Sequence, residues 1–397
     1  MAALGVEFVD ELVDGTKSAA LPLIRDGLGL SYGQIGLLAS VPLIAGSLVE
    51  LPVGILAGTG GRRRWIVLGG GLAFIASLLI AASAGTFAAL LAAFVLFFPA
   101  SGAFVSLTEA EQLDAAHARR AQFMARWTLS GALGAVAGPV LLAAVVAAGG
   151  SWRTAYVVTA ICAAAAWVGL IFTGSRPSEN RQPGETVALA AEPDPEPAGF
   201  RVALRAARSP SVLRWLVLLQ VGDLLLDVLT GFVALYFVAV AGVSPPQAAL
   251  AVAVRLGAGL IGSAVLVPVL ERWSGHLVLR LSAGATLALY PAFLIVPGFW
   301  AKVGVLAALS VVTAAWYPVL QAELYASLPG ASGVAVSLTS AATLAGGLGP
   351  LAVGYLAGWL GLGWALAGLV LVPACVLAGS WRDPLGRPAP DRLASRD

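Results

Sequence analysis

Residues 9–34, VDELVDGTKSAALPLIRDGLGLSYGQ, and residues 222–247, GDLLLDVLTGFVALYFVAVAGVSPPQ, align without a gap. Asp10 falls on Asp223, Asp14 on Asp227, Ser31 on Ser244 and Gln34 on Gln247, each pair 213 residues apart. Further on, Glu111 in EAEQL meets Glu323 in QAELY at a spacing of 212, and Gly138-Pro139 meets Gly349-Pro350 at 211. An ordered set of matches whose spacing drifts by only two residues reads as a duplicated unit.

Composition says where that unit sits. The 397 residues are 59% hydrophobic and 11% charged, with mean hydropathy +0.90, against roughly 25% charged residues in soluble domains. A membrane span needs about 20 apolar residues. Such windows fall at 3–24, 32–57, 65–84, 87–113, 127–148 and 152–173, then at 211–241, 245–271, 276–297, 300–328, 332–358 and 361–380. The expectation is an all-α polytopic membrane protein with twelve transmembrane helices in two pseudo-symmetric six-helix halves, 1–173 and 211–380. A Pro-, Glu- and Arg-rich linker over 174–210 joins them, and a tail follows over 381–397.

With both termini on one side, 18 of the 23 basic residues lie on that side and only Arg25, Arg153 and Lys302 on the other. The positive-inside rule makes the first side cytoplasmic. The acidic start is unlike a secretory signal, and 21 arginines against 2 lysines suggest a bacterial inner membrane. A net charge of +2, with no basic run beyond Arg62-Arg63-Arg64, argues against a nucleic-acid partner. Cys162 and Cys375 stand alone in apolar stretches and are expected to pack, not to form a disulfide or ligate zinc.

The acids are the anomaly. Leaving aside Glu271 at a span end, ten lie within the expected spans: Glu7, Asp10, Glu11 and Asp14 on the first, Glu50 on the second, Glu109 and Glu111 on the fourth, Asp223 and Asp227 on the seventh, and Glu323 on the tenth. Apart from the basic residues assigned to the two membrane faces, only Lys17 and Arg255 accompany them. At 100° per residue the first four share an arc of about 100°. A helix lying in the membrane interface with its acids in water is one reading. A crossing helix that turns them toward a protein cavity is preferred, since a charge in hydrocarbon costs at least about 2.5–3.5 kcal/mol. Glu109 and Glu111 lie about 200° apart, and the repeat favours Glu111.

Ten acids in a partly desolvated cavity cannot all stay ionised. They exchange protons with a cationic substrate or gather around a cation; pairing of Arg255 with Asp223 or Asp227 is a third, structural outcome. A hard divalent ion would suit Asp10, Asp14, Asp223 and Asp227, with His117 and His276 expected in loops. An organic cation would use aromatic walls such as Trp127, Tyr236, Trp316, Tyr317 or Tyr325. Aspartates four apart also resemble the Mg²⁺-diphosphate motifs of membrane prenyltransferases, but the second pair has no basic neighbour after Arg214.

Three stretches carry a resemblance to the major facilitator superfamily that extends over nearly the whole chain. GILAGTGGRRR (54–64) is similar to that family's loop between its second and third spans, with Gly58 and Thr59 standing where Asp and Arg recur; VPVLERWSGH (267–276) keeps an acidic-basic pair, Glu271-Arg272. GALGAVAGP (131–139) is similar to the Gly-rich motif of the family's antiporters, making Gly134, Gly138 and Pro139, and by the repeat Gly349 and Pro350, gating or packing positions. FVDELVDGTKSAALPLIRDGLGLSYGQIGLL (8–38) looks like the first span of bacterial drug-efflux members of the fosmidomycin-resistance type.

The resemblance implies a central cavity lined by the first, fourth, seventh and tenth spans. It implies a monomeric exporter and not an enzyme, with protons as coupling ion and no other cofactor. A small cation would bind at Asp10, Asp14, Glu111, Asp223, Asp227 and Glu323, with Glu7, Glu11 and Arg255 beside them. A divalent-metal transporter and a lipid or lysolipid flippase are the alternatives on the same fold.

Overall fold

The computed structural model describes residues 2–58, 63–115, 120–173, 209–327, 342, 344 and 346–381, helical apart from short turns. The helices are α1 (Ala2–Leu28), α2 (Tyr32–Gly58), α3 (Arg63–Ser83), α4 (Phe87–Ser101), α5 (Leu107–Ala115), α6 (Arg120–Ala147) and α7 (Trp152–Thr173). After the linker come α8 (Pro210–Ala239), α9 (Pro245–Arg272), α10 (Gly275–Ile295), α11 (Phe299–Thr313), α12 (Trp316–Ala326), α13 (Gly349–Leu360), α14 (Leu362–Ala367) and α15 (Leu371–Ser380). Ten stretches among the described residues are long and apolar enough to cross a membrane. Of the twelve expected, the first is too acidic to qualify by composition and the eleventh lies partly outside the described residues. The linker over 174–208, the tail from 382, Arg62 and His117 also lie outside them.

The interface-lying reading of the first helix fails. α1 packs along α6 and α7 and reaches α8, burying not only Val6, Val9 and Val13 but also Gly15, Thr16 and Ser18. A helix enclosed on so many sides belongs to the centre of the bundle, and its 27 residues reach about 40 Å, longer than the hydrocarbon core.

The duplication is visible in the backbone. Gly29 and Gly242 have φ of 63° and 68°, and Gly149 and Gly361 have φ of 82° and 86°, a conformation that costs glycine little and side-chain residues more. Gln34 Oε1 accepts from the Ser31 N–H at 2.9 Å and Gln247 Oε1 from the Ser244 N–H at 3.1 Å, so both halves start their second span with a capping-box contact. The fourth and tenth spans are each interrupted: a π-helical turn, Gly102–Ser106, separates α4 from α5, and Ala314 and Ala315 separate α11 from α12. Pro318, which has no N–H to return to the Ala314 carbonyl, accounts for the second interruption.

Glycines set the helix spacing around α1. A Cβ on Gly134 would overlap the Phe8 carbonyl, one on Gly138 the Leu12 carbonyl and Thr16 nitrogen, and one on Gly15 the Ala135 carbonyl. The backbones of α1 and α6 therefore touch directly, as small residues allow in membranes. α13 meets α2 in the same way through Gly36 and Gly354, and Ser40 Oγ accepts from the Leu351 N–H at 3.1 Å.

Two side chains sit in surroundings that the sequence does not announce. Lys302, counted among the basic residues of the external side, is 8% exposed. It donates to the Phe293 and Leu294 carbonyls, both at 2.9 Å, and to the Tyr236 hydroxyl at 3.0 Å, closing the free carbonyls at the end of α10. Cys375, expected to pack, is exposed on α15, while Cys162 is half-buried.

Candidate functional site

α1 presents its acids in two directions. Asp10 accepts from Ser101 Oγ at 2.8 Å, the last residue of α4 before the π turn. Asp14 pairs with Lys17 at 2.5 Å, and the Lys17 ammonium stands 4.9 Å from the Phe98 ring centroid and 5.8 Å from that of Phe97. Glu7 and Glu11 turn toward α6, where a Cβ on Gly131 would strike the Glu7 carboxylate and approach Glu11 Cγ. The first glycine of the Gly-rich stretch thus makes room for charged side chains as well as for backbone.

On the fourth span the two glutamates differ in burial. Glu109 is half-buried and lies close enough to Glu7 to repel it, whereas Glu111 is exposed. Its repeat partner Glu323 accepts from His276 Nδ1 at 3.1 Å. His276 is the second residue of α10, not a loop residue. The side chain of Glu50 lies outside the described residues.

On α8, Asp223 and Asp227 repel one another, and Asp227 is exposed. Arg255, on α9, donates to Thr230 Oγ1 at 2.8 Å and to the Leu226 carbonyl at 3.3 Å. It makes no direct ion pair among the described residues, although its charge acts on Asp227. In place of the Arg255–aspartate ion pair, the third possible outcome, the guanidinium is anchored on α8 through Thr230 and Leu226. Asp14 also acts electrostatically on Asp227, so the equivalent acids of the two halves lie within range of each other where α1 and α8 meet. Lys17 and Thr230 occupy equivalent positions, 213 apart. One half supplies its cation from the acid's own helix; the other uses a threonine to orient an arginine from the next helix.

Two neighbours of the site escaped the sequence reading. Gln220 lies 213 residues after Glu7 and shares the face of Asp223 and Asp227 at helical spacing; its buried amide nitrogen has no partner among the described residues. Extending the alignment upstream by two residues finds it. Tyr156 on α7 is 1% exposed, lies within electrostatic range of Asp14 and has a hydroxyl with no partner among the described residues.

The aromatic walls are not where the sequence reading put them. Trp127 is buried against Phe123, with ring centroids 5.6 Å apart. Tyr236 is buried and donates to the Leu294 carbonyl at 3.0 Å. Trp316 is fully buried and donates to Ser282 Oγ at 2.6 Å. These three are packing residues, while Tyr317 is 45% exposed and Tyr325 half-buried. The rings beside the Lys17 ammonium that pairs with Asp14 are Phe97 and Phe98, which in VLFFPAS look like ordinary apolar residues. Gly349 packs on Leu224 and the Pro350 carbonyl lies against Gly36, as packing positions. No group of three His, Cys, Asp or Glu among the described residues is placed to hold a metal ion.

A family model described as Major Facilitator Superfamily matches residues 4–335. Among solved structures, a bacterial homolog of the human lysosomal transporter Spinster, inward-facing and unoccupied, matches with a TM-score of 0.75 at 16% identity, over 96% of this chain and 95% of its own. The nucleoside transporter NupG matches with a TM-score of 0.75 at 13% identity, over 96% of this chain and 99% of its own. At these identities the likeness is one of fold. No curated protein sequence matches the chain.

Proposed function

Because the chain belongs to the Major Facilitator Superfamily, we propose that it exchanges protons for a small organic cation at the carboxylates of α1 and α8. As a multi-pass membrane transporter it is not an enzyme, which removes the prenyltransferase reading. The observation that carries the proposal is that the two helices carrying the duplicated aspartates, α1 and α8, pack against each other between the halves, with Asp14 47% exposed and Asp227 exposed as well. Carboxylates left partly exposed on adjoining helices inside a membrane bundle favour a cation or protons beside them. The Phe97 and Phe98 rings beside the Lys17 ammonium, itself paired with Asp14, favour an organic cation over a hard metal ion. A phospholipid head group would call for free cationic donors, and Arg255 is already anchored on Thr230 and Leu226. The rest of the reading follows the arginine count and the family resemblance: a monomeric exporter of the drug-efflux type in a bacterial inner membrane, termini cytoplasmic, with six helices on each side of the linker.

The test is proton release from detergent-solubilised protein on addition of tetraphenylphosphonium, Mg²⁺, Mn²⁺ or a neutral nucleoside. Release triggered by the organic cation and lost in Asp14→Asn and Asp227→Asn supports the proposal. Release triggered only by a metal ion transfers the site to the divalent-metal reading. Binding of a nucleoside without release removes the exchange mechanism.

A further inference from the structure

Lys17 is a cation already seated at the proposed site. Its ammonium contacts the Asp14 carboxylate and stands over the Phe98 face, the two features that recognise an alkylammonium or other organic cation. The pair is not deeply sequestered: the side chains are 20% exposed for Lys17 and 47% for Asp14. An ion pair of this kind contributes modestly and is open to competition.

A second place for the same ammonium lies beside it. Lys17 borders a small cavity of about 10 Å³, lined also by Val13, Ser77, Phe94, Phe97 and Tyr156, roughly the room one water-sized group needs. Tyr156 is one of the residues lining that cavity, and its hydroxyl is buried without a partner among the described residues. An unpaired buried hydroxyl is costly, and a visiting ammonium would satisfy it.

Resting on the proposed function and deepening it, we propose that Lys17 is a tethered competitor. It holds Asp14 and Phe98 while the site is empty, and a substrate ammonium displaces it toward the Tyr156 hydroxyl. Lys17 thereby sets the affinity for cations and biases the site toward organic cations large enough to cover a ring face. The repeat makes this device one-sided, because Thr230 stands at the equivalent position of the second half.

The experiment is equilibrium binding of tetraphenylphosphonium to the full chain in detergent, at fixed pH, for wild type, Lys17→Met, Tyr156→Phe, Phe98→Leu and the double variants. Removing the competitor should tighten binding about tenfold, the combined scale of a partly exposed ion pair and a cation–π contact. Tyr156→Phe should weaken binding in the wild-type background and leave it unchanged in the Lys17→Met background, since the hydroxyl acts only on the lysine. Phe98→Leu should abolish the gain in Lys17→Met. Lys17→Met binding no tighter than wild type, or Tyr156→Phe acting equally in both backgrounds, overturns the competitor role while leaving the cation site standing. No binding by wild type or Lys17→Met, each shown to be folded by its melting transition, overturns the cation site and the competitor together.

Discussion

Charged side chains inside this bundle are sorted by what each one touches. Lys302 touches two carbonyls and a hydroxyl and is a structural cap. Replacing it with Met leaves those acceptors without a donor, and a buried unsatisfied group costs about 1–3 kcal/mol; Lys302→Met should lower the melting temperature in detergent without changing cation binding. Asp10 takes its hydrogen bond from Ser101, where α4 gives way to the π turn. A hydrogen bond to a charged group contributes about 1.5–3 kcal/mol, so Ser101→Ala should weaken tetraphenylphosphonium binding about tenfold or more, and Ser101→Thr should restore it, as read by titration.

At the scale of helices, small residues decide how closely α1 can lie against α6. The atoms facing Gly138 belong to the α1 backbone and cannot move aside as a flexible side chain would. Gly138→Val should therefore force the helices apart at a cost of about 1–3 kcal/mol, read as a lower melting temperature together with loss of cation binding. Gly69→Ala, at a helical glycine with open space around it, is the matched control and should leave both unchanged. The same close approach that packs the helices delivers Glu7, Asp10, Glu11 and Asp14 to the middle of the bundle, so the glycines and the acids form one structural arrangement.

For the whole molecule, the pairing of α1 with α8, α2 with α13 and α6 with α9 joins the duplicated units. On one of these seams the Leu351 N–H at the start of α13 is capped by Ser40 of α2, a hydrogen bond that exists only while the two units are closed at that point. If transport requires the seam to part, oxidising a Ser40→Cys, Leu351→Cys double variant should stop substrate uptake into vesicles, and reduction should restore it. Uptake that continues under oxidation, with the cross-link verified by mass, would show that this seam stays closed during transport.

The chain by itself determined the membrane class, the all-helical fold, the duplication and the acids that the duplication places in register, because these depend on local composition and on spacing along one helix. Ser31 with Gln34 and Ser244 with Gln247 were legible for the same reason: their partners lie three residues away. Only the tertiary structure set Glu109 and Glu111 apart in burial, moved His276 onto a helix beside Glu323, buried Lys302 as a cap and placed Phe97, Phe98 and Tyr156 around Lys17. Each of those outcomes depends on contacts between helices, and in an apolar chain a phenylalanine that lines a site and one that fills the core have the same sequence signature.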